Sequence, residues 1–378
     1  MATAGMIAAL AASTARAEQG ISATEILLGE VEPFTGPPAL LGIAYNIGTR
    51  LAIAEANEAG GVDGRKLRLL VEDDGYVAAR TLQGLRKLIE DDKVFALTSI
   101  SGSGTAVAAL PYVDKTGIPT MASVAPVTPL YNPPRKAVFC VGQSYEEGTY
   151  QAARYLAAKF PGKKWGILTQ DDDYGLALRT GFTRAVKEGS LKVVFDAQYN
   201  KGQRDFSSEM LRARAAGVEI FIAGGVISET VAMVKELEKL GSKPTVAIPW
   251  PGRLTATLKL MGAASDGIYA VDYVEPENSA AYRSLQERAK RVVGEEEAKK
   301  MNRYTLAAYA STRVLIDAMR RCGNKLTRAC TIAELEKTEG FETGVMGPVS
   351  FAPGMRTSSQ SLRILQAEYA TLSFKTVQ

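Results

Sequence analysis

The sequence contains no histidine and three cysteines in 378 residues. The first absence excludes Ser-His-Asp and Cys-His catalysis and any His-ligated zinc site. Asp, Glu, Lys and Tyr remain as acid–base groups, so catalysis is disfavoured but not excluded by composition alone. No CxxC pair is present, which removes thioredoxin-like redox chemistry and the common zinc ribbons. No run approaches the roughly 20 apolar residues that a membrane-spanning helix requires. A dominant charge is missing too: 45 basic and 41 acidic residues leave a net charge of +4, spread without a long basic block, which argues against nucleic acid as a partner.

Hydrophobic residues make up 46% of the chain, enough for one large or two medium cores. The first seventeen residues, MATAGMIAALAASTARA, combine an apolar run from Met6 to Ala12 with small residues around Arg16. They read as a secretory signal peptide (1–17) cut before Glu18, which implies export to the periplasm. Cys140 sits in an apolar strand and is expected to be buried. Cys322 and Cys330 flank the polar segment Gly323–Ala329 and either close a small disulfide loop or remain separate thiols.

From Ile26 onward, short β-like runs alternate with amphipathic helical stretches. Strands are predicted at Ile26–Val31, Leu67–Glu72, Phe95–Ser99, Pro119–Ala122 and Val138–Val141, with helices at Leu41–Ala59, Val77–Ile89 and Gly104–Thr116. A second series has helices Glu146–Phe160, Leu176–Glu188, Ser207–Ala216 and Ser228–Leu240. Its strands are Trp165–Leu168, Val193–Ala197, Ile220–Ala223 and Thr245–Ile248. This alternation indicates α/β architecture with parallel sheets covered by helices on both faces. Two further helices, Ala280–Val293 and Tyr304–Arg321, and a closing hairpin at Leu362–Glu368 and Leu372–Thr376 suggest that the chain recrosses between two lobes. The expected division is 24–144 plus 274–349 for lobe one and 145–273 plus 350–378 for lobe two, with a hinge of several strands.

Ligands of open α/β sheets sit beyond the carboxyl ends of strands, beside helix N-termini. The segment Ser101-Gly102-Ser103-Gly104-Thr105 follows a strand and opens a helix, and it offers an anion site to a carboxylate. It is neither a Walker A loop nor a GxSxG elbow. A plain capped turn is the alternative. Ser123, Val124 and Ala125 end the next strand on the same side, and Leu41 opens the first helix there. In the second series the equivalent turns carry Tyr174, Val226 and Trp250. Asp171, Asp172 and Asp173 lack the alternate spacing of a calcium loop and suit a helix start instead. Trp250 lies between two prolines, outside regular structure, as either a stacking wall for a ligand or a hinge-packing ring. No catalytic residue, metal ligand or cofactor is assigned.

In order along the chain, these segments resemble the periplasmic leucine/isoleucine/valine-binding proteins of ABC transporters, the type I periplasmic-binding fold. The likeness rests on Gly29-Glu30-Val31-Glu32-Pro33-Phe34-Thr35-Gly36-Pro37, Ala56-Asn57-Glu58-Ala59-Gly60-Gly61, Glu72-Asp73-Asp74, Gly117-Ile118-Pro119, Asp172-Asp173-Tyr174-Gly175, Asp205-Phe206-Ser207 and Gly347-Pro348-Val349-Ser350-Phe351. It implies capture of a small solute by hinge closure, without catalysis, and delivery to an inner-membrane permease–ATPase complex. It places the family's carboxylate-binding loop at Gly102, Ser103 and Thr105, and the residue that faces a ligand ammonium at or beside Trp250. A tryptophan there leaves an ammonium without a counter-charge, which costs several kcal/mol when buried. The stretch Cys322-Gly323-Asn324-Lys325-Leu326-Thr327-Arg328 is similar to a branch that takes aromatic or other organic acids. The expected solute is therefore a small apolar or aromatic carboxylate. A branched-chain amino acid or its amide, and a ligand-sensing regulator of the same fold, are the alternatives.

Overall fold

The computed structural model describes residues 18–122, 126–358 and 360–378. The segment read as a signal peptide, and the site candidates Ser123, Val124 and Ala125, lie outside the described residues.

The first lobe opens with β1 (Glu25–Glu32), α1 (Ala39–Glu58), β2 (Lys66–Asp73), α2 (Ala78–Arg86), β3 (Ala96–Ile100), α3 (Ser103–Thr116), β4 (Thr120–Met121) and β5 (Val138–Phe139). These strands form a parallel sheet in the order β2-β1-β3-β4-β5. β3 is buried along its whole length, as an apolar run covered on both faces must be, whereas in the edge strand β2 only Leu67 is buried. The helix expected over Val77–Ile89 stops at Arg86 and passes into a short π-helical turn, Lys87–Asp91.

The second lobe contains α4 (Tyr145–Lys159), β6 (Lys164–Gln170), α5 (Asp173–Gly189), β7 (Lys192–Tyr199), α6 (Ser207–Ala215), β8 (Ile220–Gly224), α7 (Ser228–Lys239), β9 (Thr245–Ile248), α8 (Thr255–Met261) and β10 (Tyr269–Asp272). Then follow α9 (Ala280–Val293), α10 (Glu295–Ala298), α11 (Arg303–Cys322), α12 (Arg328–Glu336), β11 (Arg363–Glu368) and β12 (Ser373–Thr376). The second sheet runs β12-β11-β10-β9-β8-β6-β7, parallel except where β11 pairs antiparallel with β10 and β12. α8, β10 and α10 have no counterpart in the sequence reading.

Helix starts follow local chemistry. Ser144 caps α4, Asp172 caps α5, Ser279 caps α9 and Thr327 caps α12, each accepting a backbone N–H from the first turn. Asn302 and Thr305 form a reciprocal capping box on α11. α11 packs along α1 in the first lobe, where Thr305 Oγ1 donates to the Ala44 carbonyl at 2.9 Å. α9 adds the ion pair Arg288–Glu58 at 2.7 Å. Chain segments pass between the lobes beside one another: Val274 bridges Met346, and Cys140, at the end of β5, pairs with Thr357. These passages form the multi-strand hinge.

Cys322 and Cys330 are joined in a disulfide that closes the turn between α11 and α12, while Cys140 is free and buried. Burial pushes the Cys140 thiol up to about 12, so it is inert as a nucleophile. Closing so short a loop removes chain entropy from the unfolded state. Cys322→Ser with Cys330→Ser is expected to lower stability by about 2–3 kcal/mol in urea unfolding under non-reducing conditions. The same variant should match the reduced wild type.

Candidate functional site

Both sheets reverse their strand order once, and those two points face each other. In the first sheet the reversal lies between β1 and β3, in the second between β6 and β8. Loops leaving these strands therefore meet in one crevice. It holds a cavity of about 450 Å³, walled by Pro37, Pro38, Tyr76 and Val77 from the first lobe and by Lys201, Val226, Ile227 and Glu229 from the second.

On the first lobe, Ser101 and Gly102 link β3 to α3. Ser101 Oγ donates to Asp74 Oδ2 at 2.5 Å, and Asp74 also accepts from Thr81 Oγ1 at 2.6 Å and from the Tyr76 N–H at 2.8 Å. Asp74 thus ties the loop after β2 to the loop after β3. Thr105 Oγ1 donates back to the Ser101 carbonyl. Ser101 and Thr105, both expected to face a ligand, spend their hydroxyls on holding the loop. Ser103, only 3% exposed, is the hydroxyl of this loop with no protein partner among the described residues. α3 also begins without a side-chain cap, and the carboxylates of Asp172 and Asp173 stand across the cleft from Gly104, so an anion held by its first N–H groups meets their field. Leu41 is buried in the core cluster instead of standing at the cavity wall.

On the second lobe, β6 ends in Gln170, whose Nε2 donates to Asp172 Oδ2 at 2.6 Å. Tyr174 is buried, and its hydroxyl donates to the Gly225 carbonyl at 3.0 Å. The lobes touch here: a Cβ on Gly104 of α3 would lie 3.6 Å from Asp172 Oδ2.

Of the two readings open for Trp250, a stacking wall for a ligand or a hinge-packing ring, its burial fits the packing ring. It is 1% exposed, with its face stacked on Tyr145 (centroids 4.5 Å apart, 18° between planes) and its edge region against Tyr273 at 5.3 Å. A Cβ on Gly148 would sit 2.4 Å from the indole, so glycine is what admits the ring at this depth. Tyr174 meets Tyr145 edge-on at 4.8 Å. Trp250 therefore supports Tyr145, and neither ring lines the cavity.

Beneath the rings lies a charge cluster with no counterpart in the sequence reading. Arg303, at the start of α11, donates to Asp272 of β10 through Nε (2.7 Å) and Nη2 (2.9 Å), and Arg253 binds the same carboxylate. Burial opposes ionisation of Asp272, but the two guanidinium groups outweigh it and hold the carboxyl below its ordinary range. The Arg303 guanidinium also lies 4.8 Å from the Tyr304 ring centre and 5.2 Å from that of Tyr273. Tyr304 Oη and Gln170 Oε1 are buried without a partner among the described residues.

One acid missed by sequence reasoning, Glu229, stands at the cavity wall, and Asp172, read from the sequence as part of a helix start, caps α5 as expected. Loss of hydration pulls the Lys201 ammonium below its ordinary value, against the fields of Asp172, Asp74 and Glu229. Among the described residues, no group of three or more Cys, Asp or Glu is placed to hold a metal, and no helix is long and apolar enough to cross a membrane.

Paired lobes of this topology, with one crevice at the strand reversals, define a solute-binding fold. The chain belongs to the periplasmic binding protein family, whose model matches residues 25–371. It is 23% identical over 332 residues to the leucine-, isoleucine-, valine-, threonine- and alanine-binding protein of Pseudomonas aeruginosa, covering 86% of each chain. A branched-chain amino acid ABC transporter protein of Thermus thermophilus, solved with bound valine, superposes with a TM-score of 0.85 at 21% identity over 94% of this chain and 96% of that one. A solute-binding protein of Rhodopseudomonas palustris BisB5, solved with 3,4-dihydroxybenzoic acid, gives 0.81 at 19% identity over 93% and 96%. At these identities the structural likenesses establish the fold.

Proposed function

We propose that the chain is the exported, non-catalytic receptor of an ABC uptake transporter. It takes a small carboxylate with an apolar or aromatic body into the cleft and presents it to a membrane permease–ATPase. The solute closes two lobes, 24–144 plus 274–349 and 145–273 plus 350–378, about the hinge strands. The observation that carries this reading is the uncapped start of α3, with the Ser103 hydroxyl free, on the lobe that shares a cavity walled by the apolar Pro37, Pro38, Val226 and Ile227 and the ring of Tyr76. A carboxylate suits the first and an apolar body the second. Relatives named for amino acids, and a neighbour holding a benzoic acid, support a carboxylate as the common element.

Glu229 favours a second reading. A buried acid at the cavity wall supplies the counter-charge that Trp250 cannot, so an amino acid is again admissible.

A thermal-shift panel of benzoate, 4-hydroxybenzoate, hexanoate, L-leucine and L-valine separates the two, since a solute that binds only the folded state raises its melting point. Stabilisation by the plain acids is the expected result. Ser103→Ala should then weaken the best of them by about 1–3 kcal/mol in calorimetry. Stabilisation by L-leucine alone, abolished by Glu229→Gln, would establish the amino-acid reading. No response to any member, or full affinity in Ser103→Ala, would remove the carboxylate assignment.

A further inference from the structure

Tyr76 follows β2 in the first lobe, and Lys201 follows β7 in the second. Lys201 Nζ donates to the Tyr76 carbonyl at 2.8 Å and stands 3.4 Å from the centre of its ring. Both line the cavity. We propose that this pair is a clasp across the mouth of the cleft that holds the lobes together even without a solute, and so gates entry and exit.

Three independent features place the ring where the cation meets it. Tyr76 has φ +65°, a conformation that costs a non-glycine residue of this bulk free energy, and its N–H is anchored on Asp74 Oδ1. Gly102 opposite has φ +59°, and a Cβ there would lie 2.2 Å from Tyr76 Cε2, so the ring rests where only glycine leaves room. Lys201 faces the fields of Asp74, Asp172 and Glu229, yet its nearest described partner is the ring and carbonyl of the other lobe. An ordinary surface lysine stays fully hydrated; here one is turned onto an aromatic face. Tyr76 and Lys201 are positioning residues: they set how often the cleft opens, whichever solute it takes.

The test uses the whole chain without added solute, so it stands apart from the outcome of the solute panel. Hydrogen exchange at the amides of Ser103, Gly104 and Thr105, inside the cleft, reports opening directly. In Lys201→Met and Tyr76→Ala these amides should exchange roughly 2- to 30-fold faster than in wild type, the range a cation–aromatic contact represents. Small-angle scattering should show a larger radius of gyration. Lys201→Arg keeps a cation and should behave as wild type, and Tyr76→Phe keeps the ring and carbonyl but loses the hydroxyl's contact with Gln170 of the other lobe, so it should fall between wild type and Tyr76→Ala. The Lys201 side chain is exposed, so Lys201→Met should fold with the wild-type circular dichroism spectrum and carries the test if Tyr76→Ala folds poorly. Unchanged exchange and scattering in Lys201→Met overturns the clasp. So does acceleration in Lys201→Arg equal to that in Lys201→Met.

Discussion

Replacing Glu30 and Glu32 with glutamine should make the protein more stable at pH 8, by about 3 kcal/mol for Glu30 alone. Both carboxyls point from one face of β1 into the interior of the first lobe and are fully buried. Glu30 accepts from Asn46 Nδ2 at 2.8 Å and Thr98 Oγ1 at 3.3 Å. Ser99 Oγ donates to Glu32, whose Oε2 has no partner among the described residues. Burial pushes Glu30 from 4.5 to about 7 against these bonds and the field of Arg50. Burial and repulsion from Glu30 and Asp74 raise Glu32 well above its ordinary range, with Ser99 opposing. A carboxyl raised on folding keeps a proton that the unfolded chain sheds. Its stabilising contribution is thus complete below the unfolded value near 4.5 and is lost as pH rises to about 7. Urea unfolding between pH 4.5 and 8 should show wild-type stability falling across this window and the double glutamine variant nearly level. Parallel curves would mean that these carboxyls do not carry the buried protons.

The reverse sign is expected at Asp272. Asp272→Asn leaves Arg253 and Arg303 buried without their anion, and should cost roughly 3–5 kcal/mol. Both guanidinium groups are about 1% exposed, so water cannot readily take the place of the carboxylate. A carboxyl held below its ordinary 3.8 contributes stability above that value and loses it as pH falls through the folded value. Acid unfolding of the wild type should thus contain a component that Asp272→Asn lacks. Arg303→Met should cost less, since Arg253 still neutralises Asp272. Chemical unfolding at pH 7 gives the order of the variants. Equal stability of wild type and Asp272→Asn would show that the cluster is hydrated.

The fold was legible because its strongest signals are local. Ile220–Gly224 and Ala96–Ile100 are apolar runs between turn residues, and Ser144, Asp172 and Asn302 announce the helices they cap. β10 was not, because Tyr-Ala-Val-Asp is short and its terminal aspartate makes sense only beside Arg303, 31 residues later. The same distinction governs the site. Gly102 and Ser103 could be found from a strand-to-helix turn. Tyr76, Lys201 and Glu229 could not, since each is an ordinary loop or helix-start residue until two lobes bring them to one cavity. Trp250 was expected outside regular structure but opens a short 3-10 turn, Trp250–Gly252, and nothing in the sequence tells that Tyr145, 105 positions earlier, would cover its face.

That stacked pair gives the molecule a built-in optical gauge. The chain has two tryptophans, and Trp165 is fixed within β6, 6.0 Å from Phe182, away from the moving parts. Trp250 shares the second lobe with Tyr145 and Tyr273, whereas the Arg303 cation, 6.0 Å from its ring, belongs to the first, so its emission senses their separation. With Trp165→Phe, the colour and brightness of a single indole would follow the bending of the hinge in real time, with no dye attached.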